Sequence, residues 1–428
     1  MGVKRKLDVE IDSDEEYENN SNIDSENEYE TNHQATIRMK KDEINKYKDE
    51  LKKRKVENID EEVMIKLQEE ALEKQGKVMK DLSKIIIQPI QFKVKLSKSK
   101  NFITCFTYSD DGKFLFTGNS DGDINKWDVN GGNSLAMVKG GKRHSAHKYH
   151  KSRVSAIASS KEFVVSGDLE KKIFVWNMEL VLKKTLIKHR GEITSLVFRR
   201  NTVQLFSGDR KGIIFVWDFE LMNTIQELIG HTTAITGLDS DLANHFVSCS
   251  GIGEPCVKLW KLERDGRVDY NLPKKSYDLS IECISMINEK FFVAGTTSNK
   301  IYLWDGIAKK SPIDTVTDAH DLPADGKLKV SNEINVVSIC ALKHTNVFAS
   351  GSNLSQAKVW KVVDGKKENL TIQLLFVLPD ITGYVNDLKF SPGGKDLAVA
   401  TSNQHKRHRL HPRCPDTKSM IKIFKLFE

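Results

Sequence analysis

Ser166-Gly167-Asp168, followed by Ile173-Phe174-Val175-Trp176, returns 41 residues later as Ser207-Gly208-Asp209 followed by Ile213-Ile214-Phe215-Val216-Trp217. Trp176 and Trp217 belong to a set of six tryptophans, with Trp127, Trp260, Trp304 and Trp360, spaced by 49, 41, 43, 44 and 56 residues. Val257-Lys258-Leu259-Trp260 and Ile301-Tyr302-Leu303-Trp304 repeat the same short apolar run ending in Trp. Runs of this length, rich in β-branched and aromatic side chains, read as strands. A period near 40 to 45 residues that closes on Trp or Trp-Asp (Trp127-Asp128, Trp217-Asp218, Trp304-Asp305) reads as a WD-repeat β-propeller.

The chain has 428 residues, and seven such repeats occupy about 300 to 340 of them. The expected organisation is a disordered acidic tail over 1–36, an α-helical extension over 37–88 and an all-β, seven-bladed propeller over 89–428. Residues 8–30 hold eleven acids and no base, too polar to bury the surface that would offset the entropy of ordering. Residues 31–428 carry 63 bases and 48 acids, an excess of +15. A basic body points to an anionic partner, most often nucleic acid. Lys4-Arg5-Lys6 and Lys52-Lys53-Arg54-Lys55 are candidate nuclear-import signals. The six cysteines form no Cys-x-x-Cys pair and read as reduced, mostly buried thiols. There is neither a signal-peptide core nor an apolar stretch long enough to span a bilayer, so no membrane partner is expected.

In the extension, Met64, Leu67, Ala71, Val78, Leu82 and Ile85 fall at helical spacing and form one apolar stripe, ended by Pro89. Ile90–Leu96 alternates as a strand and is expected to close the ring. The first blade follows with strands at Phe102–Tyr108, Phe114–Thr117 and Asp123–Trp127, turning on Asp111-Gly112 and Asp121-Gly122. The seventh blade has no Trp. Val385–Phe390 and Leu397–Ala400 precede Ile421–Phe424, where Phe424 takes the Trp place. WD blades also carry a His before the first strand and an Asp before the third. Gly230-His231 keeps the full Gly-His pair, and His150 and His189 stand at the matching place. Six residues before each Trp stand Asp121, Glu170, Lys211, Glu254, Ser298 and Leu354, so the first blade alone keeps the Asp and the others read as degenerate.

Calling the strands of a blade a to d from the channel outward, the b–c and d–a connections emerge on one face. Two of them are strongly basic. The connection from blade 1 to blade 2 carries Lys139, Lys142, Arg143, Lys148, Lys151 and Arg153, with no acid from Asn130 to Arg153. The b–c connection of blade 7 carries Lys406, Arg407, His408, Arg409 and Arg413. They flank blade 1, and together they make a positive surface on which RNA phosphates could supply most of the affinity. The candidate RNA-binding residues are therefore Lys142, Arg143, Lys148, Lys151, Arg153, Lys406, Arg407, His408, Arg409 and Arg413. A third long connection, Asp318–Glu333, emerges on the same face. His405, His408, His411 and Cys414 recur every three residues, as do His144, His147 and His150, but the intervening Lys and Arg oppose a cation, so no metal and no cofactor is expected. No phosphate-binding Gly loop, Gly-x-Ser-x-Gly or His-Glu-x-x-His occurs, and no catalytic residue is expected.

At these loops the chain resembles the U3 snoRNP-associated WD-repeat family. The resemblance rests on Leu72-Glu73-Lys74-Gln75-Gly76, on Phe198-Arg199-Arg200 with Gln204-Leu205, on Ala319-His320-Asp321-Leu322, and on Gly383-Tyr384-Val385-Asn386-Asp387-Leu388-Lys389-Phe390 leading to His408-Arg409-Leu410. It spans roughly residues 60–428 in order. The family usually follows His-Arg-Leu with Gly-Arg and two tryptophans; His411-Pro412-Arg413-Cys414 stands here instead, so no stacking by those aromatics is expected. The resemblance implies a non-enzymatic component of the U3 snoRNP. It implies recognition of the box B/C motif of U3 small nucleolar RNA, beside a kink-turn-binding snoRNP protein and other small-subunit processome proteins. Nucleolar residence in the nucleus and a part in pre-ribosomal RNA processing follow from it too. The alternative from the residues alone is a protein-interaction scaffold or substrate receptor that binds no RNA.

Overall fold

The computed structural model describes residues 45, 63–64, 79–86, 90–92, 101–140, 149–241, 245–262, 266–273, 278–307, 309–321, 334–364, 370–406, 414 and 417–427. The chain forms two compact units, Met1–Gln68 and Glu69–Glu428. In the first, residues 45, 63 and 64 are helical, Val63 is buried and Met64 is exposed.

The second unit is the propeller: seven antiparallel four-stranded sheets among the described residues. Blade 1 shows the pattern, with strand a at Ile103–Tyr108, b at Phe114–Asn119, c at Ile124–Asp128 and d at Ser134–Val138. Its turn glycines, Gly112 and Gly122, have φ of 71° and 92°, a left-handed conformation that costs glycine little. The inner strands of blades 2 to 7 are Val154–Ser159, Ile193–Phe198, Ile235–Ser240, Ile281–Met286, Val336–Ala341 and Tyr384–Phe390. Each neighbours the next, and the last neighbours the first, around a central channel.

Small polar side chains tie inner strand to inner strand. Thr104 Oγ1 donates to Val154 O (2.6 Å), Ser155 Oγ to Ile193 O, and Thr236 Oγ1 to Ile281 O (2.6 Å). Asn386 Nδ2 donates to Ile103 O (2.8 Å) and so joins blade 7 to blade 1. On the outer side Ile90–Phe92 pairs with Met420–Lys425, in the register Ile90↔Lys425 and Phe92↔Ile423. The ring is thus closed by the strand expected, over three of its seven residues. Phe424 sits opposite Leu397 as Trp127 sits opposite Leu115, and is fully buried. Closure leaves no end of the ring with an unpaired sheet edge.

Two expectations need correction. Residues 79–86 are not helical: Lys80 forms a parallel bridge with Thr345, and 83–85 make a turn. Lys80 N donates to His344 O (2.8 Å), and Asn346 N donates to Lys80 O (3.0 Å). Asn346 clamps the segment further: its Oδ1 accepts from Leu82 N (3.1 Å) and its Nδ2 donates to Asp81 Oδ1 (2.7 Å). Met79 packs on the core shared by blades 5 and 6, and Leu82 and Ile86 on that of blades 6 and 7, while Ile85 of the expected stripe is exposed. This segment is a strap beneath the a–b turn of blade 6. Its pattern of apolar residues fits both a helix and a strap, and the partner 264 residues away decides between them.

The second correction concerns the buried carboxylates. They are Asp168 and Asp209, eight residues before Trp176 and Trp217 at the end of strand b, not the residues six before. Asp121 is exposed, and Asn119 occupies the strand-end position in blade 1. Blades 2 and 3 are therefore complete and blade 1 is not.

Candidate nucleic-acid interface

The channel face is built on these strand ends. In blade 3, His189 Nδ1 meets Asp209 Oδ2 at 3.1 Å, His189 Nε2 meets Ser207 Oγ at 2.6 Å, and Trp217 Nε1 donates to Ser207 Oγ (2.7 Å). In blade 2 the same chain runs Asp168–His150–Ser166–Trp176 at 3.0, 2.6 and 2.8 Å. The indole N–H can only donate, so the serine hydroxyl accepts there and gives its proton to His Nε2. The imidazole then carries its own proton on Nδ1, directed at the carboxylate. Burial pushes the Asp209 carboxyl up, but the His189 hydrogen bond and the amides of Ile213 and Lys211 outweigh it and hold the group below its usual range.

Other blades keep parts of this brace. His231 bonds Ser248 and Trp260 bonds Ser248, but Ser250 replaces the Asp. His320 bonds Ser350, and its Nδ1 has no partner among the described residues, because Ser352 stands where the Asp would be. Burial, with Lys258 or Lys358 adding repulsion, pushes His231 and His320 down to about 3. In blade 5 Asp278 stands in the His place and bonds Tyr302 Oη (2.5 Å). There Ala294 replaces the serine, so Trp304 Nε1 is buried without an acceptor.

In blade 2 the brace holds His150, at the described end of the first basic connection. Lys151 and Arg153 flank the entry to blade 2, both half-buried, and Arg153 lines the mouth of the channel. His150, between the basic residues in sequence, is buried in the brace and is no surface ligand. Lys406 lies in the channel wall: its N–H donates to Asn386 Oδ1 (2.9 Å) and its Nζ to Val337 O (2.8 Å). Lys142, Arg143, Lys148, Arg407, His408, Arg409 and Arg413 lie outside the described residues, as do His144, His147 and His411 and most of Asp318–Glu333. His405 and Cys414 are buried, and the His405 ring meets Tyr384 edge-on at 5.8 Å. No group of three potential metal ligands occurs among the described residues.

The channel encloses about 1170 Å³ and is lined mainly by inner-strand side chains, with Arg153, Arg210 and Lys406 toward this face. At the a–b end of the inner strands, Asp239 Oδ2 accepts from Ser285 Oγ (2.9 Å), Met286 N (2.7 Å) and Lys343 Nζ (2.5 Å). Burial pushes the channel-wall thiol of Cys105 up to about 12, and Cys340, outside the wall, is raised in the same way, both away from the reactive thiolate. All six cysteines are free. No described helix is long and apolar enough to cross a membrane.

Sequence reading missed a second group of cations on this face: Lys171, Arg190, Arg210 and Lys211, in the turns of blades 2 and 3. The signal was available in the dipeptides His150-Lys151 and His189-Arg190 and in the turns after Asp168 and Asp209. It was hidden because each stretch alone is too short to stand out.

The WD domain, G-beta repeat model matches residues 91–128 and 180–218. U3 small nucleolar RNA-interacting protein 2 of Homo sapiens is 29% identical over 356 residues, covering 82% of this chain and 72% of that protein. Ribosomal RNA-processing protein 9 of Saccharomyces cerevisiae is 26% identical over 351 residues, 66% of this chain and 60% of that protein. The solved structure of U3-55K superposes with a TM-score of 0.69 at 28% identity, covering 78% of this chain and 98% of that one. The chain is a WD40-repeat propeller, similar along most of its length to U3 snoRNP-associated WD-repeat proteins.

Proposed function

We propose that this protein is a non-enzymatic U3 snoRNA-binding component of the U3 snoRNP, acting in the nucleolus in pre-ribosomal RNA processing and small-subunit biogenesis. It recognises the box B/C motif beside a kink-turn-binding protein, and the other processome proteins assemble around it. The observation that carries this reading is the pairing of similarity along the propeller with cations gathered on one face. The relative named for U3 RNA interaction aligns over 82% of this chain. On the same chain two basic connections flank blade 1, anchored by Lys151 and Arg153 on one side and Lys406 on the other.

Phosphate attraction supplies a salt-dependent affinity, and the arginines add bidentate contacts. The test is a salt titration of U3 RNA binding. Lys142, Arg143, Lys148, Lys151 and Arg153 changed to Gln form one variant, and Arg407, Arg409 and Arg413 changed to Gln the other. Each should melt as wild type does and bind RNA more weakly, with a flatter log–log slope by a little under one unit per lost phosphate contact. Wild-type affinity and slope in both variants would refute RNA recognition by these loops.

A further inference from the structure

We infer that the RNA path does not end at the loops beside blade 1 but continues over the same face of blades 2 and 3, on Lys171, Arg190 and Lys211. This rests on the RNA-binding reading and extends its footprint. The three residues lie in two successive repeats, 19 to 40 residues apart in sequence, and the propeller brings them to one rim. Lys171 is in the b–c turn of blade 2, Arg190 in the connection entering blade 3, and Lys211 in the b–c turn of blade 3. All are exposed. A Cβ placed on Gly191 would lie 2.9 Å from Lys211 N, so the Arg190 connection and the Lys211 turn are in contact.

Three further observations point to an anionic partner here. First, the rim cations make no ion pair among the described residues. The acids of these connections, Glu170 and Glu192, are taken by Lys172 (3.5 Å) and Arg210 (2.9 Å). Lys171, Arg190 and Lys211 are left without a carboxylate among the described residues. Second, the cations coincide with the complete brace. Asp168 Oδ1 accepts from Lys172 N (3.0 Å), Asp209 Oδ1 from Lys211 N (2.9 Å), and Asp209 Oδ2 from Gly191 N (3.1 Å), so the backbone beneath each cation is fixed. In blades 4 and 6, where the Asp is missing, Thr232 and Asp321 follow the His. Their turns carry Ile252 and Glu254 or Leu354 and Gln356. A fixed backbone lowers the ordering cost of each phosphate contact.

Third, Lys171 holds a left-handed φ of 69° at a turn position that is Gly122 in blade 1 and Gly212 in blade 3, at 92° and 81°. Glycine is the residue this conformation favours, and a lysine there carries a conformational cost. The same position is Asn299 in blade 5 and Ser355 in blade 6, at 56° and 58°, so what sets blade 2 apart is a long cationic side chain at this turn.

The test uses the full chain and transcribed U3 RNA. The rim variant is Lys171→Gly, Arg190→Gln and Lys211→Gln. A charge-matched control is Lys113→Gln, Lys161→Gln and Lys395→Gln, in a–b turns on the opposite face. The rim variant is expected to melt at or above the wild-type temperature, because Lys171→Gly relieves a strained turn. Its log–log salt slope should fall by about 2 units, at 0.7 per contact for single-stranded RNA. The control should keep the wild-type slope. A wild-type slope in the rim variant overturns the inference, as does equal flattening in the control, which would mean general charge rather than a path. Equal competition by polyglutamate and RNA for the rim also overturns it, in favour of an acidic protein partner. If the loop variants lose RNA binding and the rim variant does not, this inference alone fails. If wild-type protein binds no U3 RNA, the functional reading fails with it.

Discussion

Replacing Ser207 by Ala tests the brace directly. The Ser207 hydroxyl accepts from Trp217 Nε1 at 2.7 Å and bonds His189 Nε2 at 2.6 Å, and all three side chains are buried. Removing it leaves an indole donor and an imidazole acceptor without partners. A buried polar group left unsatisfied costs about 1–3 kcal/mol, so the pair should cost about 3 kcal/mol after local relaxation. For a unit of this size that corresponds to a fall of about 5 °C in melting temperature, read by differential scanning calorimetry and by the urea midpoint. Blade 5 supplies the reciprocal experiment. Ala294→Ser would offer Trp304 Nε1 the acceptor it lacks and should raise stability by about 1 kcal/mol. A shift under about 1 °C in Ser207→Ala would refute the reasoning. So would an Ala294→Ser as destabilising as Ser207→Ala, since volume rather than hydrogen bonding would then govern the site.

Acid should weaken the fold through His231 and His320. Both are pushed from 6.5 to about 3, so below pH 6.5 the unfolded chain binds two protons that the folded chain refuses. Stability is fully present above pH 6.5 and should fall by about 4 kcal/mol by pH 5, seen as a falling urea midpoint, with about half that loss remaining in His320→Gln. Deleting residues 1–36 should leave melting unchanged. Deleting 1–92 removes the Met79, Leu82 and Ile86 contacts and bares the outer edge of blade 7, a loss of at least about 3 kcal/mol, with aggregation on heating.

The propeller was legible because its signals are local. A strand of five or six residues ending in Trp repeats its own chemistry, and the closing strand announces itself by alternation. Phe424 could be placed in the Trp register from the apolar run around it alone. The buried Asp was misplaced because it was sought in the b–c turn, six residues before Trp, whereas it closes strand b, eight before, and a spacing counted from Trp does not hold in every blade. Ser248 is twelve residues before Trp260, whereas Ser166, Ser207 and Ser350 are ten before theirs. Counting back from Trp therefore crosses a turn of uneven length, whereas counting forward from Ser-Gly-Asp does not. The strap was misread for a different reason. Its fate is decided by Asn346, which local periodicity cannot see. The loops beside blade 1 were visible because their charges are consecutive; those of blades 2 and 3 were not, because one cation per turn looks like an ordinary solvated surface.

That contrast bears on how the face works. A consecutive basic run, like the one leading to Lys151 and Arg153, attracts an anion at range, and its contribution falls with salt. A cation on a braced turn does something else. Lys211 rises from a backbone whose N–H is fixed by Asp209, and Asp209 is itself held by His189. Such a cation meets a phosphate at one position in space, and so can set register. The retention of the complete His–Asp–Ser–Trp chain in blades 2 and 3 then has a consequence beyond stability. Blade 5 shows that the fold tolerates losing the His and the Ser. Blades 4 and 6 show that it tolerates losing the Asp. The brace stabilises each blade that keeps it, and the inferred RNA path adds a second use for it in the two blades that carry the rim, where it fixes the backbone beneath Lys171, Arg190 and Lys211.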